Sequence, residues 1–488
     1  MTHLVWFRGD LRTHDNPALY AACQHADRVI GLVCLTAKQW QQHQLGKRRI
    51  QLIQNSVAAL SESLQALNIP LLVLHADTFA NIPTLLHDLI PALAIEQLYF
   101  NNEYEVNERK RDLAVRRMCE SLGIGVHRFH DQCVIPPGEV TTQQQQPFKV
   151  FTPFKRAWMV QYSHHQQAPL PQPDARQGTL SRAQQAYLAQ CQPCLALDVD
   201  PLWPCTESAV HEQLDTFVEQ QIEAYHEQRD LPFLDTTSRL SYALALGLLS
   251  PRQCLYRAWL ANEGRLSSGK PGIDVWISEL IWREFYRHLL VAFPNLCKHR
   301  AFKPETEAVR WRDSESDFQA WCDGRTGYPI VDAAMRQLRD QGWMHNRLRM
   351  ISAMFLTKHL LIDWRRGEHF FSQQLVDADL ASNNGGWQWS ASTGADGAPY
   401  FRIFNPTTQS ERFDSNGQFI AHYLPKLAIL PERSRHNPST AERLRCGYDM
   451  PIVEHRFARQ RALDAFKLAL NTDQPDNHPA QQTALFTE

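Results

Sequence analysis

Between Trp276 and Trp389 the chain places eight of its thirteen tryptophans, and the stretch closes on Asp377-Ala-Asp379-Leu-Ala-Ser-Asn383-Asn384-Gly385-Gly386-Trp387-Gln388-Trp389. Each tryptophan must bury a large ring and still satisfy an N–H. Among them stand Glu279, Arg283, Asn346, Arg347, Arg349, Asp377, Asp379 and Asn383. That is more charge and amide than an apolar core tolerates. The mixture suits a pocket for a flat heteroaromatic molecule with polar edges.

Several tracts carry chemistry with an ordinary structural alternative beside it. Thr237-Ser238-Arg239-Leu240-Ser241 groups hydroxyls around an arginine ahead of a helix, which serves a phosphate or simply caps the helix. Trp343-Met-His-Asn346-Arg347-Leu-Arg349-Met350 opens a helix on which Asn346 and Met350 share a face, so an amide and a soft thioether can meet one ligand. Arg349 requires an anion, and Asp377 or Asp379 supplies it, in a site or in a structural ion pair. Asn383-Asn384-Gly385-Gly386 lets the backbone approach a ligand closely, or turns between two helices. Trp311, Trp364 and Trp387, on three helical segments, are oxidisable rings that could relay electrons inward, or are core packing.

The elements that must position these residues fall into two kinds. Leu4–Phe7, Val29–Val33, Leu71–Leu74 and Gln97–Phe100 read as buried strands, with helical spacing over 47–68 and 104–122. This alternation predicts a parallel, Rossmann-like α/β domain over 1–130. No G-x-G-x-x-G follows the first strand, so the dinucleotide fingerprint is absent. Residues 131–205 are biased to Pro and Gln and read as an interdomain connection. Cys191 and Cys194 within it are half a zinc pattern without a well-spaced second half. From 206 to 470 the period is helical, with Ser250-Pro251 starting one helix and others over Ile277–Leu290, Ile330–Leu338, Met344–Leu361, Glu368–Leu375 and 453–469. A short polar tail, 471–488, follows. The expected fold is thus an α/β N-terminal domain joined to an all-α C-terminal domain.

Composition bounds the setting. The 488 residues are 43% apolar and 21% charged, which fits a globular protein of two or three domains. No apolar run is long enough for a membrane helix, and the apolar start of the chain is too short for a signal peptide. Eleven scattered cysteines suggest reduced thiols in the cytoplasm. Net charge is −2, but Trp276–Arg366 carries fifteen Lys/Arg against eleven Asp/Glu. A mildly basic, aromatic-rich face is compatible with nucleic acid, or is a solvated helical surface.

These tracts, together with Val5-Trp-Phe-Arg-Gly-Asp-Leu-Arg12, Trp276-Ile-Ser-Glu-Leu-Ile-Trp-Arg-Glu-Phe-Tyr286, Gly327-Tyr-Pro-Ile-Val-Asp-Ala-Ala-Met335 and Phe401-Arg-Ile-Phe-Asn-Pro406, resemble the photolyase/cryptochrome flavoproteins over nearly the whole chain. The similarity is greatest to class I cyclobutane pyrimidine dimer photolyases with a folate antenna. The resemblance implies FAD, active as FADH⁻, in the helical domain. Tyr225, Thr237, Ser238, Arg239, Leu240 and Ser241 would hold its phosphates and ribityl chain. Arg349, Asp377 and Asp379 would flank the isoalloxazine, with Asn383 facing N5. Trp311, Trp364 and Trp387 match the family's electron relay. Glu279, Trp282, Asn346, Arg347, Met350 and Trp389 match its dimer pocket. Arg283, Arg402 and Gln409 match positions that touch DNA.

His43, Asn107, Glu108, Cys297 and Lys298 match the site of a 5,10-methenyltetrahydrofolate antenna, with 8-hydroxy-5-deazaflavin as the alternative antenna. The resemblance also implies a monomer acting on UV-damaged DNA. The members that repair (6-4) lesions use pocket histidines where this chain has Asn346 and Met350. Plant cryptochromes place an acid where it has Asn383. The alternative within the family is a blue-light cryptochrome photoreceptor without repair activity. One further expectation concerns Glu279: buried, it would favour its neutral form and could donate a hydrogen bond to a thymine carbonyl.

Overall fold

The computed structural model describes residues 1–164, 168–190 and 200–471. Cys191, Cys194 and the tail beyond Asn471 lie outside the described residues. Strands β1 (Thr2–Phe7), β2 (Arg28–Thr36), β3 (Leu71–Ala76), β4 (Gln97–Asn101) and β5 (Gly125–Phe129) form one parallel sheet in the order β3-β2-β1-β4-β5. β1 is buried throughout, as a strand covered by helices on both faces must be. β5 is the strand the sequence did not announce. It is a half-exposed edge with His127 and Arg128 facing solvent, and it lacks the apolar run of the others.

The strand order reverses between β1 and β4, and in open α/β sheets the crevice beyond such a point is the usual ligand position. Here side chains fill it. Arg8 lies 4.4 Å from the Trp6 ring centroid and 4.5 Å from that of Phe100, and it pairs with Asp112 at 3.1 Å. Arg111 lies 4.8 Å from Trp6 and 4.7 Å from Phe79, and it pairs with Glu103 at 2.6 Å.

The segment expected to be a bare connection contains the helices Phe151–His164 and Arg182–Gln190. The first docks through the buried Trp158, whose Nε1 donates to Glu284 Oε2 at 2.6 Å. Glu284 also accepts from the backbone of Val134 and Ile135. Beyond 206 the chain is helical, and Ser250 caps the helix Pro251–Ala261 with Gln253 completing a capping box. The expected single helix Met344–Leu361 is two pieces, Asn346–Met354 and a π-helical turn over Phe355–His359. Such turns accommodate an extra residue in a helix.

A buried polar seam joins the α/β layer to the helices. Arg12 pairs with Asp131 at 2.5 Å and donates to the Gly247 carbonyl at 3.0 Å. Arg252 reaches Asp131 at 2.7 Å and Asp15 at 2.9 Å. Burial alone would raise the Asp131 pKa, but the two guanidinium groups hold it below the usual carboxylate range. Gly247 has φ +69°, and a Cβ there would overlap the Gly9 carbonyl, so the close approach of the two layers requires glycine.

Among the described residues, the imidazoles of His288, His345 and His359 are buried with pKa values well below the ordinary one. Burial holds His288 and His345 down to about 4 and His359 to about 3. In the unfolded chain each titrates near the ordinary histidine value of ~6.5. As pH falls below that value the unfolded state takes up protons that the native state refuses. Each group then withdraws up to about 1.4 kcal/mol of stability per pH unit, until its native pKa is reached. Denaturant titrations between about pH 7 and pH 5 should therefore show a shallower loss of stability for His288→Gln than for the parent.

Candidate cofactor and substrate pocket

The helices Ser241–Leu246, Pro271–Ala292, Asn346–Met354, Trp364–Gln374 and Leu380–Ala391 surround a cavity of about 490 Å³. Of the residues singled out above, Tyr225, Ser238, Leu240, Ser241, Glu279, Trp282, Arg283, Asn346, Arg349, Met350, Asp377, Asp379, Asn383, Trp387 and Trp389 line this one cavity. Thr237, Arg239, Arg347, Arg402 and Gln409 do not. Arg239 pairs with Asp235 at 2.8 Å and lies 4.9 Å from the Trp343 ring centroid.

The inner wall is organised by charge. Arg349 donates to Asp377 Oδ2 at 2.8 Å, so Asp377 is its anion. Asp379, the other candidate, is taken by Arg287 at 2.8 Å and caps the next helix through Ser382 N at 3.0 Å. Arg287 and Arg283 hold the Asp379 pKa below the ordinary value although burial opposes this. Arg283 has no carboxylate partner. It donates to the carbonyls of Gln132 at 2.6 Å and Leu244 at 3.1 Å, and burial, then Arg287, pushes its pKa down to about 10.

Asn383-Asn384-Gly385-Gly386 is not a turn but lies inside the helix Leu380–Ala391, started by the Asp379 cap. A Cβ on Gly385 would overlap the Tyr286 ring, so this glycine serves helix–helix contact. Asn383 donates through Nδ2 to the Glu368 carbonyl at 2.9 Å and Ser372 Oγ at 3.1 Å. Its Oδ1 accepts from no described residue and is an available acceptor on the cavity wall. Asp377 Oδ1 and Trp387 Nε1 are buried without partners, and buried polar atoms of this kind call for one.

The mouth carries different chemistry. Trp282 is stacked on Phe151 at 3.6 Å and 10°. Glu279 is not buried alone, as the donor expectation required. Its side chain is 32% exposed and accepts from Arg229 Nη1 at 2.6 Å. The expected burial without a charged partner is therefore not what the structure shows. Arg347 is held bidentate by Asp230, at 3.2 and 2.8 Å, with Phe413 4.4 Å away. Arg229, Asp230, Tyr286 and Arg287 were missed from sequence. The signal for Arg287 was available, since it lies one turn beyond Arg283 on the same helix face.

Among the tryptophans, Trp387 lies edge-on to Phe371 at 5.0 Å and to Trp321 at 6.0 Å. Trp364 is fully buried, and Trp311 is partly exposed beside Phe466 at 5.9 Å. Trp321 also escaped the sequence reading.

A second cluster forms at the seam between the layers. His43 lies 3.6 Å from Glu108 and 3.1 Å from Asn107 Nδ2. Cys297 reaches the Val106 backbone, and burial is the main cause that pushes its thiol up to about 12. Burial, with Glu105 and Glu103, pushes the Glu108 carboxyl up as well. Lys298 is exposed at the end of the 3₁₀ turn Pro294–Lys298.

Residues 3–174 match the family model described as DNA photolyase, and residues 276–468 the one described as the FAD binding domain of DNA photolyase. The deoxyribodipyrimidine photo-lyase of Escherichia coli is 46% identical over 96% of this chain and 99% of its own length. A bacterial class III photolyase from Agrobacterium tumefaciens has a similar structure, with a TM-score of 0.83 at 36% identity over 96% of this chain and 98% of that one. So does a Synechocystis cryptochrome, with a TM-score of 0.81 at 27% identity over 95% and 99%. The chain belongs to the photolyase/cryptochrome family and carries its FAD-binding domain. No described helix is long and apolar enough to cross a membrane.

The residues present fit FAD. The wall offers an unpartnered carboxylate oxygen and indole N–H, an available amide oxygen and uncompensated guanidinium charge, which suit a polar-edged ring and an anion. Trp387 is held against Gly367, where a Cβ would overlap its ring. Gly367→Val should drive that ring into the cavity and lower the FAD retained per protein at least about tenfold, or about 1.4 kcal/mol of binding. The flavin-to-protein absorbance ratio after purification checks this.

Proposed function

We propose that the protein repairs cyclobutane pyrimidine dimers in UV-damaged DNA in a light-driven reaction. The observation that carries this reading is the continuity of the cavity. A mouth of Trp282, Trp389, Met350, Asn346 and Glu279 opens into the same space as the charged wall of Arg349, Asp377, Asp379 and Asn383. When bound, reduced FAD supplies a photoexcited electron that opens the cyclobutane and then returns.

The chain's own residues bind and orient. A dimer inside the duplex is out of reach, so it must be flipped into the mouth, at a cost lowered by its weak stacking and pairing. Trp282, immobilised by Phe151, is a rigid apolar wall for the flipped bases, and Trp389 and Met350 are further walls. Asn346 offers an amide to a base edge. Glu279 is a fixed acceptor as long as Arg229 holds it. With FAD bound, Asn383 Oδ1 would be the acceptor for a ring N–H, which would favour the form protonated at N5. Arg283, Arg287 and Arg349 favour the anionic ring through Coulomb attraction in a site with little water. Tyr225 and the hydroxyls of Ser238 and Ser241, which line the cavity, would hold the phosphates. Trp311, Trp364 and Trp387 form the path by which electrons reach the pocket from the surface. Arg347, Arg402 and Gln409 meet the DNA backbone, so affinity falls as salt rises.

The second cluster is proposed as the antenna site, with His43, Asn107, Glu108, Cys297 and Lys298 around 5,10-methenyltetrahydrofolate. Support comes from the meeting of His43 with Glu108 and Asn107 at the seam, with Cys297 against the neighbouring Val106 backbone. Uptake of 8-hydroxy-5-deazaflavin in place of folate would overturn that choice. The free cysteines among the described residues fit a reducing compartment such as the cytoplasm, and the proposed protein acts as a monomer.

The deciding measurement is recovery of thymine absorbance in a dimer-containing oligonucleotide with photoreduced protein, in light and in darkness. Light-dependent recovery is expected. Flavin held as FADH⁻ without recovery would favour a photoreceptor. Trp282→Ala should weaken dimer binding by about 1–3 kcal/mol, the worth of one base stack. Asn383→Asp places a charge beside N5 and should lower the stability of FADH⁻ in a redox titration.

A further inference from the structure

Arg49 lies in the first turn of the helix Lys47–Ala66, which belongs to the α/β layer. The start of that helix is seated on the helical half. A Cβ on Gly46 would overlap the Gln373 carbonyl, and Arg48 Nη1 donates to the Asp340 carbonyl at 3.1 Å. Arg49 then enters the seam, where its Nε and Nη1 are buried without a hydrogen-bond partner. Burial lowers its pKa, and the charges of Asp379, Asp377 and Glu105 oppose the fall. The same helix start meets the chain just before the acidic pair: a Cβ at Gly342 would touch both the Val376 and the Arg48 side chains, and Val376 N donates to the Gly342 carbonyl at 2.8 Å. Asp377 and Asp379, which follow Val376, line the cavity, and Arg49 does not.

Two guanidinium nitrogens buried without a hydrogen-bond partner are costly and need a reason. The bookkeeping of charge supplies one. Asp377 is matched by Arg349 and Asp379 by Arg287. Arg283 and Arg49 are left with no carboxylate within ion-pair distance among the described residues. Asp377 keeps an unpartnered Oδ1 in the same region. Without a cation near them, two buried carboxylates on the wall would repel an anionic ring more strongly, and little solvent is present to screen them.

We propose that Arg49 is a positioning residue for the charge of the bound flavin: acting through Asp377 and Asp379, it biases FAD toward its anionic reduced form. The proposal rests on the flavin reading above and assigns the α/β layer a part in setting the cofactor's potential.

The test is a spectroelectrochemical titration of the FAD-loaded full chain, without DNA or antenna, on the parent and on Arg49→Gln, Arg49→Lys and Arg48→Gln. Arg49→Gln should disfavour formation of FADH⁻ about tenfold, a downward shift of about 59 mV for one electron. Arg49→Lys, which keeps the charge, should stay within about twofold of the parent, roughly 20 mV on the same scale. Arg48→Gln removes an equal charge one residue away, outside the pocket wall, and should leave the potential unchanged. An unshifted potential in Arg49→Gln, or equal shifts in Arg49→Gln and Arg48→Gln, would overturn the proposal. Loss of flavin by Arg49→Gln with retention by Arg49→Lys supports it, and loss by both overturns it in favour of packing. A parent chain that takes up no FAD defeats the flavin reading itself, and the proposal with it.

Discussion

Burying a guanidinium obliges a protein to find it a partner, and the pocket is arranged around that obligation. The molecule meets it in two ways. At the seam Arg12, Arg252, Asp131 and Asp15 are mutually matched, with Ser250 Oγ donating to Asp15 at 2.5 Å. Nothing there is left for a ligand, and the network is structural. On the cavity wall the matching stops short. Two carboxylates, Asp377 and Asp379, stand among three guanidinium groups, Arg283, Arg287 and Arg349, and Arg283 makes do with backbone carbonyls. The difference between a closed and an open set of charges is what separates a joint from a binding site.

The helix Pro271–Ala292 distributes this chemistry by its period. Glu279, Trp282, Arg283, Tyr286 and Arg287 recur at three- and four-residue spacing and face the cavity. Glu284 and His288 face the other way. Glu284 gathers the N–H groups of Val134, Ile135 and Trp158, and His288 Nε2 meets the Ile135 carbonyl at 3.1 Å. The segment between the two layers is thereby fastened to the back of the site helix. One consequence is local and functional: the helix that begins at Phe151 brings that ring flat against Trp282. What reads in sequence as a connection is part of the mouth.

The limits of sequence reading follow the same logic. Four strands were legible because strands buried on both faces are unbroken apolar runs, and β5 was not because an edge strand with exposed His127 and Arg128 need not be. Ser250 and Pro251 announced a helix start because capping is local. The residues of the pocket were legible as a set because indoles, amides and charges are concentrated where a core would be apolar. Their pairings were not. Whether Arg349 takes Asp377 or Asp379 is settled by Arg287 claiming the latter from another helix. The partner of Glu279 was missed for the same reason, since Arg229 comes from a segment fifty positions earlier. The π-helical turn at Phe355–His359 likewise depends on packing against the C-terminal helix, where His359 Nε2 meets His455 Nδ1 at 2.8 Å.

This separation between wall and mouth sits within an architecture shared by proteins with different names. A photolyase and a cryptochrome both resemble this chain closely in fold. The inner wall carries a surplus of positive charge that suits an anion, and the family match is to an FAD-binding domain. The mouth differs. A stacked Trp282–Phe151 pair, a second indole at Trp389 and a thioether at Met350 present apolar surface to solvent, which is costly to leave uncovered. Asn346, Glu279 and Arg229 add fixed polar groups at its edge. Such a surface fits a flat, partly polar partner, and it lies apart from the sheet and from the charged wall.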